Sequence, residues 1–130
     1  MQMNTTDFPL VWTRYKSIGD GQGPVMFTQF EALLALQRPF VLLNDEGLAT
    51  PGEAQTQDQR KQISLWMKRN KTALRSYVKG AVFIEPSERL RTASAGFAVM
   101  YEKFWGYPMK MVVTREHAIS VGQALLDSRR

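Results

Sequence analysis

Two stretches of the chain share one pattern: an unbroken apolar run halts at polar residues and opens into a helix. Phe40-Val41-Leu42-Leu43 stops at Asn44-Asp45-Glu46-Gly47, and Ala81-Val82-Phe83-Ile84 stops at Glu85-Pro86-Ser87. Short apolar runs without alternation are the mark of strands covered on both faces, as in the sheet of an α/β protein. Phe8 to Tyr15 carries aromatic and β-branched residues and predicts a first strand, with Pro9 near its start. Met109 to Val113 predicts a last one.

Helical spacing fills the intervals. Met26, Phe27, Phe30, Leu33, Leu34 and Leu36 predict a helix over about 25–37, ended by Arg38-Pro39. A long helix over about 53–77 carries Ile63, Trp66, Met67, Asn70, Ala73, Leu74 and Tyr77 on one face. A third opens at Ser87, a good N-cap, and its inward face reads Leu90, Ala93, Ser94, Phe97, Met100, Tyr101 and Phe104. Gly106-Tyr107-Pro108 stops it, and Thr114 caps a final helix with Ala118, Val121 and Leu125 inward. The order β-α-β-α-β-α-β-α predicts a single α/β domain over 1–130, ordered from about 8 to 126. Its sheet is expected to be four-stranded and mostly parallel, flanked by helices.

Composition narrows the chemistry. The 130 residues are 44% apolar and 22% charged, ordinary for a globular protein. There is no cysteine and one histidine, which excludes disulfides, cysteine nucleophiles and cysteine or multi-histidine metal sites within one chain. No run reaches the ~18 apolar residues of a membrane span. The first seven residues lack the basic and apolar parts of a signal peptide, so the cytoplasm is the expected location. A net charge of +5 is met by an ordinary solvated surface and calls for no polyanion.

Together RPFVLLND, ISLWMKRN and VKGAVFIEPSERLR, with a late strand and closing helix after them, resemble the SpoIIAA-like (STAS/SEC14-like) small α/β domains. The resemblance spans Phe8 to Leu126 and rests on element order and strand texture. It implies a non-enzymatic protein-binding or regulatory module. Through the SEC14-like members it also implies an alternative, a carrier of a small apolar ligand or lipid. Antagonists of this family carry a phosphorylatable Asp-Ser-x-Gly segment. Here the corresponding residues, 44–53, contain no serine, and Thr50 precedes Pro51. The resemblance therefore does not extend to that switch.

Several constellations admit both a functional and a plainer reading. Asp45, Glu46, Glu53 and Asp58 lie where α/β folds bind ligands, yet carboxylates there also solvate a loop and complement a helix N-terminus. Gly19-Asp-Gly-Gln-Gly23 lacks the spacing of a nucleotide loop and reads as a turn. Ser87, Arg89 and Arg91 form the best anion-binding or phosphorylation candidate, beside the plainer reading of an N-cap with solvated arginines. Lys61, Lys68, Lys71, Arg75 and Lys79 make a basic stripe without interleaved aromatics, so a solvated face is expected rather than a nucleic-acid site. His117 has no nucleophile at a telling spacing.

The aromatic and methionine cluster from Phe97 to Met109 exceeds what one helix face needs. It places Tyr101, Trp105 and Tyr107 as candidates for a partner surface, with a core cluster as the plainer reading. The expected protein binds another protein or a second copy of itself. No catalytic residue, metal or cofactor is assigned, and an enzyme or nucleic-acid binder is the least supported class.

Overall fold

A computed structural model describes residues 2–14, 28–45 and 57–127. The strands are β1 (Gln2–Asn4), β2 (Leu10–Arg14), β3 (Phe40–Asn44), β4 (Val78–Ile84) and β5 (Met109–Val112). The helices are α1 (Thr28–Ala35), α2 (Gln57–Arg69), α3 (Lys71–Tyr77), α4 (Glu88–Ala93), α5 (Ala95–Trp105) and α6 (Arg115–Asp127). The strands form one sheet in the order β1-β2-β3-β4-β5. β2 to β5 are parallel and β1 runs antiparallel to β2.

The sheet therefore has five strands and is mixed, where four were expected. The additional strand is Gln2–Asn4, ahead of the core that the sequence suggested. Its three residues pair with Arg14, Thr13 and Trp12 of β2. The side chain of Gln29 on α1 adds two further bonds to its middle residue: Met3 N donates to Oε1 at 3.0 Å and Nε2 donates to Met3 O at 3.4 Å.

The apolar runs lack alternation because each face of the sheet has its own core. Val11, Phe40, Leu42, Ala81 and Phe83 point into a cluster shared with Phe30, Leu33 and Leu34 of α1, Trp66 of α2, Leu74 of α3 and Tyr101 of α5. Leu10, Trp12, Val41, Leu43 and Val82 point the other way, against Ala118 of α6, with Ile119, Val121 and Leu125 at the margin. Consecutive right-handed crossovers that all advance in one direction place their helices on one face. Among the described helices only α6, which follows β5, covers the other face. It sits close: a Cβ on Gly122 would stand 3.0 Å from Leu10 Cδ2 and 3.4 Å from Leu43 Cδ2.

Two expected helices are broken. The helix expected over 53–77 begins, among the described residues, at Gln57 and divides at Asn70 (φ −109°, ψ 14°), whose side-chain Nδ2 donates to Trp66 O at 2.9 Å. A side-chain amide that bonds the preceding turn competes with helix continuation. The third expected helix divides at Ser94 (φ −97°, ψ 5°) into α4 and α5. α1 ends where Gln37 takes a left-handed φ of 56°, just before Arg38-Pro39. No helix among the described residues is long and apolar enough to cross a membrane.

Candidate functional site

The carboxyl edge of the parallel strands is where the sequence placed its polar candidates. Thr13, Asn44 and Glu85 follow the inward parity of Val11, Leu42 and Phe83, so they lie on the α1–α5 side of three adjacent strands. All three are buried. Asn44 Nδ2 donates to Thr13 O at 3.1 Å, and Thr13 Oγ1 donates to Leu43 O at 3.2 Å, so these polar groups lace β2 to β3. Burial of such groups is tolerable because they are hydrogen-bonded.

Glu85 is 6% exposed and ties the end of β4 both to β5 and to the start of α4. Its backbone N donates to Val112 O at 2.7 Å, and its carboxylate Oε2 accepts from Ser87 N at 3.0 Å. Arg91 Nη1 donates to Glu85 O at 2.6 Å, and Ser87 Oγ accepts from Leu90 N at 3.2 Å. The structure thus brings Ser87 and Arg91 together, but around Glu85. The serine is an N-cap and Arg91 is a brace. Arg89 is exposed and takes no part in that knot. α4, which Ser87 opens, has only six residues.

Asp45 meets a different partner. Its carboxylate stands 3.6 Å from Arg115 Nη1, at the start of α6, and the Arg115 guanidinium lies 3.9 Å from the ring centroid of Trp12. At that N···O distance the pair is an ion pair rather than a tight hydrogen bond. Both members reach solvent, so it contributes little to stability. Trp12, Asp45 and Arg115 border a groove of about 680 Å³ completed by Asn4, Asp7 and Gln29 among others. Among the described residues its charged lining is Asp7, Asp45 and Arg115, a polar setting.

Glu46, Thr50, Glu53 and the Gly19–Gly23 loop lie outside the described residues, as does the side chain of Asp58. Among the described residues no three His, Asp or Glu side chains gather where they could hold a metal ion. Lys61 and Lys68 belong to α2, Lys71 and Arg75 to α3, so the basic stripe is divided at Asn70; Lys79 Nζ donates to Ser76 O at 3.0 Å. His117 is exposed, and its backbone N donates to Thr114 Oγ1 at 3.1 Å in an N-cap.

In the aromatic segment, the three partner-surface candidates pack inward. Tyr101 and Tyr107 are 8% and 2% exposed, and their hydroxyls meet at 3.3 Å. Tyr101 packs against Phe83, Phe97, Trp105 and Tyr107 with centroids 5.7–6.2 Å apart. Trp105 is half-buried and touches Trp66. These three side chains build the core. The outward stripe is instead Phe97 (54% exposed), Met100 (69%) and Phe104 (36%), spaced i, i+3, i+7 along α5. Of the expected inward face of α5, Tyr101 is buried, while Phe97, Met100 and Phe104, each one position before the inward Ala98, Tyr101 and Trp105, face outward.

Sequence reasoning missed Glu85 and the Trp12–Arg115 contact. Glu85 was detectable, since it stands two residues beyond the inward Phe83 and inherits its parity. The Trp12–Arg115 pair joins β2 to α6 and leaves no local signal. No family model matches the chain, and no curated protein or solved structure does either.

Proposed function

We propose that the chain is a non-enzymatic protein-binding or regulatory module of the SpoIIAA-like kind, and that α5 is the surface it offers to a partner protein. The observation that carries this reading is the exposed stripe Phe97, Met100 and Phe104. Single exposed apolar residues need no explanation, whereas three in register along one helix form a continuous strip of the type that partners cover. Aromatic and methionine side chains are also those enriched at interfaces. The chemistry at the carboxyl edge points the same way: Ser87, Arg91, Thr13 and Asn44 are engaged in bonds that hold the fold. The groove beside Asp45 and Arg115 has a polar lining and gives no support to an apolar-ligand carrier.

The test is a photo-crosslinking side chain at position 100, compared with one at the exposed Gln123 of α6, in extract of the native host. A discrete crosslinked protein at position 100 that is lost with Phe97→Glu supports the reading. Equal labelling from positions 100 and 123, or none, would sink it.

A further inference from the structure

The charge of the chain is unevenly spread. From Lys61 to Trp105 there are nine Lys or Arg against three Asp or Glu, an excess larger than the +5 of all 130 residues. One of those three acids, Glu85, is buried at the end of β4. α2 to α5 therefore form a basic flank of the molecule, and the exposed α5 stripe belongs to it.

Three of the cations stand beside the stripe. Arg75 of α3 crosses the turn that closes α5, so close that a Cβ on Gly106 would stand 2.6 Å from Arg75 Cγ. α3 leads into β4 and α5 leads into β5, and these strands pair in parallel, so both helices run in one sense. Lys71, one turn before Arg75, thus falls level with the last turn of α5, where Phe104 lies. Lys103 is on α5 itself, next to Phe104. All three cations are exposed, and among the described residues no carboxylate pairs with them. Glu102, the acid of α5, is on the opposite flank, about 200° from Met100. The stripe stands about 100° before the inward row, on the flank that a right-handed crossover turns back toward α3.

We propose that the partner segment covering α5 is an acidic amphipathic helix, its apolar residues on Phe97, Met100 and Phe104 and its carboxylates on Arg75, Lys71 and Lys103. This inference rests on the reading of α5 as a partner surface and names the chemistry of that partner. An apolar strip bordered by unpaired cations is complemented by an apolar strip bordered by Asp and Glu. The same charge selects against a second copy of this chain, since an isologous contact sets one basic face against another. A bilayer is a plane and meets the crest of a helix. The stripe lies instead on the shoulder between α5 and α3, which suits a rod about 10 Å across.

The test is a displayed library of helical peptides about four turns long, selected on the intact chain at physiological salt. Apolar residues are fixed at i, i+3 and i+7, and the bordering positions vary among Glu, Gln and Lys. Selected peptides are expected to carry Glu along one border. Their affinity is expected to fall at least about tenfold for Met100→Glu, for Lys71→Glu/Arg75→Glu, and for the parent chain at about 0.5 M salt. Lys71→Glu/Lys103→Glu gives the same readout without touching the Arg75 stem over Gly106, and native circular dichroism shows that each variant is folded. Peptides that need Met100 but show no preference for Glu, or that bind the charge-reversed variants unchanged, overturn the acidic partner and leave the α5 reading standing. Binding that Met100→Glu leaves unchanged, or no binding peptide at all, overturns both. Sedimentation with vesicles of about 30% phosphatidylserine that Met100→Glu abolishes makes an anionic bilayer the occupant and likewise overturns the proposal.

Discussion

Which stripe of α5 faces the core decides which surface is free, and two neighbouring residues test it. Tyr101 is almost wholly buried among four aromatic rings, whereas Met100 is 69% exposed. A tyrosine buries on the order of 200 Å². At about 25 cal/mol per Å², removing most of it gives an upper figure near about 5 kcal/mol. The measured range for large aromatic side chains cut to alanine is about 3–5 kcal/mol. Tyr101→Ala is expected to fall at about 3–4 kcal/mol, because the hydroxyl bond to Tyr107 goes with the ring packing. Met100→Ala removes a side chain that is mostly in water already, and alanine is the better helix former, so the change is expected to stay under about 1 kcal/mol.

Urea unfolding followed by far-UV circular dichroism measures both, and thermal melts should separate the variants by about 10 °C, given roughly 3–5 °C per kcal/mol at this chain length. Equal losses, or a larger one for Met100→Ala, would mean that α5 is turned by one residue. The stripe Phe97–Met100–Phe104 would then be core, and the proposed partner surface would disappear.

Gln37→Gly should stabilise the chain by about 0.5–1 kcal/mol, since a left-handed φ costs a non-glycine residue roughly 1–2 kcal/mol and glycine returns part of that gain through unfolded-chain entropy; its denaturation midpoint should rise at constant slope. Gly122→Val should destabilise by about 1–3 kcal/mol, because even a Cβ there presses on Leu10 and Leu43; a neutral melt would show that α6 stands further from the sheet. Ser87→Ala should lose about 1 kcal/mol with the cap to Leu90 N, and Ser87→Asp, which can cap in its place, should recover most of it in the same urea titration. Arg115→Gln should change stability by less than about 1 kcal/mol at low salt and by less still at about 0.5 M salt, as expected for a solvent-reaching pair.

Most of the fold was legible because hydrophobic parity and period are local signals. The runs 40–43 and 81–84 became β3 and β4, and Trp66 and Leu74 face inward as their spacing required. What failed was decided by tertiary contact. Gln2–Asn4 has no apolar run, and it is a strand because β2 and the Gln29 side chain supply its partners. The phase of α5 was ambiguous because 97/100/104 and 98/101/105 are both apolar stripes, so period alone could not choose between them. The choice is made by Phe83 and Tyr107, which arrive from β4 and from the turn after α5. The grouping of Asp45 with Arg115 and Trp12 joins residues from separate parts of the chain, and nothing in their spacing links them.

The strand order bears on where a ligand could sit. Open α/β sheets bind ligands outside the carboxyl ends of strands at the point where strand order reverses, because the helices there diverge to opposite faces and leave a crevice. Here β2, β3, β4 and β5 lie in chain order, so no reversal falls among these parallel strands, and the described helices that connect them share one face. The side chains expected to act at that edge are engaged in structural bonds: Asn44 holds β2 to β3, and Ser87 and Arg91 hold the turn around Glu85. Among the described residues, the buried polar groups at that edge hold the fold together. What it leaves exposed among the described residues is apolar and peripheral, the α5 stripe of Phe97, Met100 and Phe104. On the reading proposed above, such a stripe takes a polypeptide partner rather than a small reacting molecule.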